Sequence, residues 1–152
     1  MTVFSSCTNL PDELHEKYPH AVFISSGQSK TVFSITRKTV LKLYRGDRAY
    51  NREHRLYDLV EKQHRMRVLC PTQWHAGYCI QPLCAIPTAW KQIPRHMRKL
   101  IIDSGLGQFG LRKTRSPCVL DWENICIPSL PAHIQNQTLQ IVEETSQAGC
   151  RQ

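Results

Sequence analysis

The sequence holds no apolar run long enough to cross a bilayer. Its mainly apolar stretches, such as residues 40–44 and 100–102, fall far short of the about 20 residues a spanning helix needs. Residues 1–10 carry neither a basic cluster nor a long apolar segment, so no signal peptide is expected. No Cys-x-x-Cys pair occurs among the seven cysteines. An odd count without a secretory signal argues against a disulfide framework and for reduced thiols in a cytosol. Cys70, His75, Cys79 and Cys84 lie near one another in sequence, but their spacing matches no common structural zinc pattern. Cys79 stands in an apolar run, where cysteine behaves as a small hydrophobe, and no zinc is expected. Internal repeats and low-complexity tracts are absent too, which excludes a solenoid.

Acidic residues are scarce: 12 against 20 Lys and Arg, a formal net charge of +8. That balance attracts anions without choosing among nucleic acid, phosphorylated metabolites, anionic lipid and an acidic protein. The basic residues fall in short clusters: Arg65 and Arg67; Arg95, Arg98 and Lys99; Arg112, Lys113 and Arg115. A solvated basic face, facing an acidic protein partner, is the expected reading ahead of a dedicated nucleic-acid site. Tyr44, Trp74 and Trp90 are too scattered in sequence to suggest a base-stacking platform. With 152 residues, 41% hydrophobic and 21% charged, the chain has the make-up of one globular domain rather than a disordered segment.

Periodicity organises this domain. Residues 21–25 are β-branched and aromatic, 25–30 have turn composition, and 31–36 alternate as a returning strand. Arg37-Lys38 reads as a tight turn, and Val40-Leu41-Lys42-Leu43-Tyr44 as a third strand. Gly46-Asp47 breaks it. Residues 51–63 place Leu56, Leu59, Val60 and Gln63 at helical spacing, with Glu53 on the face of Leu56 and Val60. Residues 78–83 read as a strand, and Pro94 opens a helix to about Asp103 that Gly105 would cap. Val119-Leu120 reads as a short strand, 132–145 as a last helix and 146–152 as a frayed tail. The expected class is α+β, with an antiparallel sheet at the front. In that division 1–20 is a loosely tied leader, 21–84 a sheet with its helix, and 85–145 a smaller helical part, all in one compact unit.

The front half carries candidate chemistry. A turn of Ser, Gly and Ser lets backbone N–H groups approach phosphate oxygens. Lys42, flanked by Leu41 and Leu43, needs an anionic partner if its ammonium points inward, and Glu53 is the candidate. Each has a plain structural alternative. Lys42 can snorkel from a strand edge, Glu53 can pair with Arg52 or Arg55, and Gly27 can be a simple hairpin glycine.

These residues resemble the protein kinase-like fold. Ser25-Ser26-Gly27-Gln28-Ser29-Lys30-Thr31-Val32-Phe33 is similar to a degenerate Gly-rich loop, Val40-Leu41-Lys42 to the third-strand lysine motif, and Arg52-Glu53-His54 to the start of the regulatory helix. Residues 80–84 stand where a hinge between lobes would be. Asp121-Trp122-Glu123-Asn124-Ile125 resembles the metal-binding Asp element. The kinship is with minimal bacterial kinase-like proteins, of the PhoP-regulatory-network type and the small effector kinases. It covers about residues 20 to 130. It implies a truncated kinase-like fold: an N-lobe sheet with regulatory helix and a reduced C-lobe. It implies ATP and Mg²⁺ as cofactors, nucleotide contacts from Gly27, Ser29, Lys42, Glu53, Gln81 and Leu83, and Asp121 as metal ligand. A cytoplasmic location is expected, with a secreted effector as the alternative the kinship brings.

The family's catalytic loop carries an Asp and, five residues later, an Asn. Its best counterpart is Gln108-Phe109-Gly110-Leu111-Arg112-Lys113-Thr114-Arg115, which puts Gly110 at the Asp and Arg115 at the Asn. Gly has no side chain to orient the attacking hydroxyl, and Arg brings positive charge to a cation site. The expectation is therefore a catalytically impaired, regulatory kinase-like protein. An active minimal kinase with Asp103 as base is the second reading. A small basic nucleic-acid binder is the third, and it requires Arg65, Arg67, Arg95, Arg98, Lys99, Arg112 and Lys113 to share one surface.

Overall fold

The computed structural model describes residues 9–101, 106–114, 116–121 and 126–150. The class is α+β: a five-stranded antiparallel sheet, a two-stranded ribbon and helices. The chain groups into two compact units. One comprises the residues up to Tyr50 together with 71–83, the other 51–70 together with 84 onward.

The first unit is built on strands β1 (Val22–Ser26), β2 (Lys30–Ser34), β3 (Thr39–Tyr44), β4 (Gln73–His75) and β5 (Tyr78–Pro82), in the order β1-β2-β3-β5-β4. β1, β2, β3 and β5 lie close to the stretches that alternation marks in the sequence. β4 is an addition. Its three residues are too few to show a period, and it exists because the Ala76-Gly77 turn folds it back on β5, pairing His75 with Tyr78. Gly77 has φ +83°, a left-handed conformation that glycine adopts without a Cβ penalty.

Side chains alternate across the sheet. One face gathers Phe33, Leu41 and Tyr78 into a core with Leu10, against which Leu14 and Tyr18 also pack. Leu14 lies on the helix α1 (Asp12–Lys17). The segment read as a loose leader thus places apolar side chains on the sheet. The opposite face is set by the register: Val32 pairs with Lys42, Lys30 with Tyr44, Lys42 with Cys79, and Val40 with Gln81.

Helix α2 (Asp47–Tyr57) begins directly after Gly46 and continues as a π-helical segment, Asp58–Gln63. It starts four residues before the apolar periodicity does, because Asp47 supplies the acidic first turn a helix N-terminus favours. Leu56, Leu59 and Val60 are buried in the core of the second unit with Ile93, Phe109 and Ile134. That packing assigns residues 51–63 to the second unit rather than to the sheet.

In the second unit α3 is a single turn (Arg95–Arg98), shorter than the helix expected, and Asp103 and Gly105 lie outside the described residues. The ribbon pairs β6 (Phe109–Leu111) with β7 (Pro117–Val119), Gly110 opposite Cys118. Two further segments join it: Leu69 bridges Val119, and Ala85 bridges Leu111. Helix α4 (Ala132–Cys150) runs past the expected end at 145. Thr138 and Thr145 are buried on it, and each hydroxyl donates to the carbonyl four residues back, at 2.8 Å. Arg52 reaches α4 with three hydrogen bonds, to Thr145 Oγ1 (2.9 Å), the Val142 carbonyl (3.2 Å) and Ser146 Oγ (2.5 Å). Arg55 adds an ion pair with Glu144 at 2.6 Å. No helix among the described residues is long and apolar enough to cross a membrane.

Candidate functional site

Lys42 sits on the middle strand of the sheet and is buried, 7% exposed. Lys30 is equally buried, and the register places it diagonally next to Lys42 on the same face. Its ammonium lies 5.3 Å from the centre of the Tyr44 ring, a cation–π contact. Tyr44 in turn stacks on Trp74 at 6.2 Å, and Tyr50 meets both rings edge-on. Tyr44 and Trp74, scattered in sequence, are thus brought together by the β3–β5–β4 pairing. Trp90 is instead set against Phe109. The face therefore carries two buried amines beside an aromatic cluster.

The β1–β2 hairpin leads into Lys30. Gly27 is exposed, its N–H donates to the Lys30 carbonyl at 2.9 Å, and a Cβ there would meet only that carbonyl at 3.9 Å. Hairpin geometry alone does not demand glycine at this position. Ser29 is half-buried, and its carbonyl accepts from the Arg45 N–H at 2.8 Å. Arg45 stands outside the residues expected to matter from the sequence. Its guanidinium donates to the Gly27 carbonyl, to Ser26 Oγ and, at 3.1 Å, to Thr31 Oγ1. It fixes the hairpin from the end of β3. The sequence signal was available: an arginine directly after a strand that pairs with that hairpin.

The other expected contacts are placed as follows. Gln81 is buried, on the face of Lys42, and its side-chain amide donates to Thr72 Oγ1 at 2.9 Å. Leu83 is exposed, and its N–H donates to the Lys38 carbonyl at 2.8 Å. Glu53 is buried on α2, 4% exposed. Asp121 is half-buried, two residues beyond β7.

Within the stretch expected to be the catalytic loop, residues 109–111 form strand β6, with Gly110 as its buried middle residue. A Cβ there would lie 2.7 Å from Cys84 Cβ and 3.0 Å from Leu120 Cδ2, so any side chain forces its neighbours to shift. Packing alone therefore gives Gly110 a structural reason to be glycine. Arg115, its expected companion, lies outside the described residues, as do 122–125. Arg112 is half-buried and donates to the Leu69 carbonyl at 3.1 Å.

The cysteine arrangement also differs from the sequence grouping. Cys70, Cys84 and Cys118 converge, their three sulfurs within 4.8 Å of one another. Cys79 is in the sheet, its sulfur 3.8 Å from the Tyr44 hydroxyl, and the His75 ring stacks on Tyr78 at 4.7 Å. The thiols of the cluster are electrostatically unequal. The hydrogen bond from Cys70, then the nearby Arg112 guanidinium, pull Cys118 down to about 6 against the effect of burial. Cys70, the donor in that bond, is pushed up, first by the bond and then by burial. Burial raises Cys84.

No protein-family model matches the chain, and no curated protein does. Among solved structures it is similar to the ternary complex of streptomycin, ATP and the aminoglycoside phosphotransferase APH(2″)-IIa. The identity is 17% and the TM-score 0.42, over 62% of this chain and 38% of that one. The chain spans well under half the length of that phosphotransferase.

Proposed function

We propose that this chain is a kinase-like protein whose sheet binds the phosphates of ATP, with Lys42 as the principal cation. The observation that carries the reading is the burial of Lys42 and Lys30 on one face of one sheet, at the end of the Ser26–Ser29 hairpin. Two lysines on one face beside the hairpin set positive charge where phosphate oxygens would lie. The third-strand lysine motif points to a nucleotide as their carrier.

One observation favours an active kinase over an impaired one. The loss of a catalytic Asp rested on Gly110, and Gly110 is a packed strand residue. On an active reading the catalytic loop would come before Phe109 in the sequence. There Asp103 is followed five residues later by Gln108, an amide one methylene longer than the family's Asn. Asp103 then takes the role of base and Gln108 that of metal-binding amide.

The test is thermal unfolding with ATP, with and without Mg²⁺, beside Lys42→Ala. A ligand in 100-fold excess over its Kd stabilises the folded form by about 2.7 kcal/mol. The expected result is a raised midpoint in the wild type and none in a folded Lys42→Ala. No shift in a well-folded wild type refutes nucleotide binding. Phosphoryl transfer from ATP that disappears in Asp103→Ala supports the active reading. Nucleotide binding without any transfer returns the chain to the impaired class.

A further inference from the structure

We propose that Cys70, Cys84 and Cys118 form a three-thiolate binding site for Zn²⁺, separate from the nucleotide reading and independent of it. The geometry is close to that of a bound ion. Zinc bonds thiolate at about 2.3 Å, which sets sulfurs in a tetrahedral site about 3.8 Å apart. Cys70 and Cys84 are already 3.9 Å apart, and all three sulfurs fall within 4.8 Å. A disulfide would need any two of them to close to about 2.05 Å and would leave the third without a role.

The scaffold holds the three residues from three separate segments. Cys118 is on β7, opposite Gly110. Cys70 is tied to the same ribbon by its N–H, which donates to the Val119 carbonyl at 3.0 Å. Cys84 adjoins Ala85, whose N–H donates to the Leu111 carbonyl at 3.1 Å. Gly110 brings β6 against Cys84 so closely that a Cβ would displace it. The thiols are thus set by backbone pairing around one small ribbon, an arrangement preorganised for a ligand.

Charge supports the assignment. Three thiolates and Zn²⁺ sum to −1, and the anchored Arg112 guanidinium beside Cys118 supplies +1. Cys70 and Cys118 are buried, whereas Cys84 is half-exposed. Metal can enter on that side, and water can complete a fourth position there. Binding involves no change of oxidation state: each thiol that is still protonated releases its proton to solvent as its sulfur bonds the ion.

The test is titration of the full, fully reduced, metal-free chain with Co²⁺, followed by displacement with Zn²⁺. The expected result is one Co²⁺ per chain with thiolate-to-cobalt charge-transfer absorption, abolished by Zn²⁺. Cys84→Ser should weaken binding more than about 100-fold, beyond the loss usual for an outer-shell partner. Arg112→Met should weaken it about tenfold. Cys79→Ser should bind as the wild type does. Circular dichroism checks the fold of each variant, and Cys84→Ala replaces Cys84→Ser if the latter does not fold. The proposal is overturned if the folded, reduced chain shows no charge-transfer band. It is equally overturned if the band survives in the Cys84 variant, or if chain purified without reductant has lost two of these three thiols to a disulfide.

Discussion

Gly110 offers a sharp test, because two readings of the chain assign it opposite roles. If Gly110 stood at a vacated catalytic position, Gly110→Asp would restore a carboxylate and with it some phosphoryl transfer. The packing predicts loss of the fold instead. A single added carbon, in Gly110→Ala, would meet Cys84 Cβ at 2.7 Å, Leu120 Cδ2 at 3.0 Å and Cys84 Sγ at 3.3 Å. The Leu120 methyl can yield, but Cys84 Cβ is fixed to its backbone, and Ala85 beside it is paired to Leu111. Overpacking of this kind costs about 1–3 kcal/mol. Replacing a strand glycine recovers about 0.5–1 kcal/mol of chain entropy, so the net loss for Gly110→Ala centres on about 1 kcal/mol. Urea unfolding read by tryptophan fluorescence measures it as a lower midpoint at unchanged slope. Gly110→Asp adds a buried carboxylate to the same clash and should cost several kcal/mol. Cys84→Gly removes the obstructing carbon, so Gly110→Ala should cost less in that background, a coupling the double-mutant cycle isolates. Unchanged stability of Gly110→Ala, or phosphoryl transfer gained by Gly110→Asp, would refute the reasoning.

Further expectations concern the second unit and the hairpin. Ile134→Ala, at a fully buried position, should cost about 2–5 kcal/mol, and a loss below 1 kcal/mol in calorimetry would contradict the packing of α4. Arg52→Ala removes three hydrogen bonds to α4 and should cost about 1–3 kcal/mol, with faster amide exchange in the last turns of that helix. Glu61 Oε2 accepts from the Val68 and Leu69 N–H groups, each at 3.0 Å; Glu61→Ala should cost about 1.5–3 kcal/mol, and an unaltered melt would show that those bonds contribute nothing. Arg45→Ala should leave the sheet folded but make the β1–β2 hairpin the first site of proteolytic cleavage; equal protease resistance would argue against its bracing role.

The sequence by itself determined most of the strands of the sheet. Alternation around Thr31, Phe33, Leu41 and Leu43 shows which residues face one way, since side chains in a strand repeat every two positions. The same local logic placed a lysine between two leucines and a helix with Leu56, Leu59 and Val60 on one side. Local patterns do not report which distant segments meet. β4 exists only because a two-residue turn returns it to β5. Residues 109–111 are too few to show a period and become a strand because residues 117–119 pair with them. Glycine at 110 is ambiguous in sequence, since absence of a side chain suits a degenerate catalytic position and a crowded strand equally. Only the tertiary structure shows the crowding, with the Cys84 carbon at 2.7 Å. Cys118 is equally invisible as a companion of Cys70 and Cys84, because the sequence spacing that defines common zinc motifs is local and this cluster is assembled by bridges between segments far apart in the chain. Register placed Lys30 beside Lys42, and register is a property of the paired sheet rather than of either strand alone.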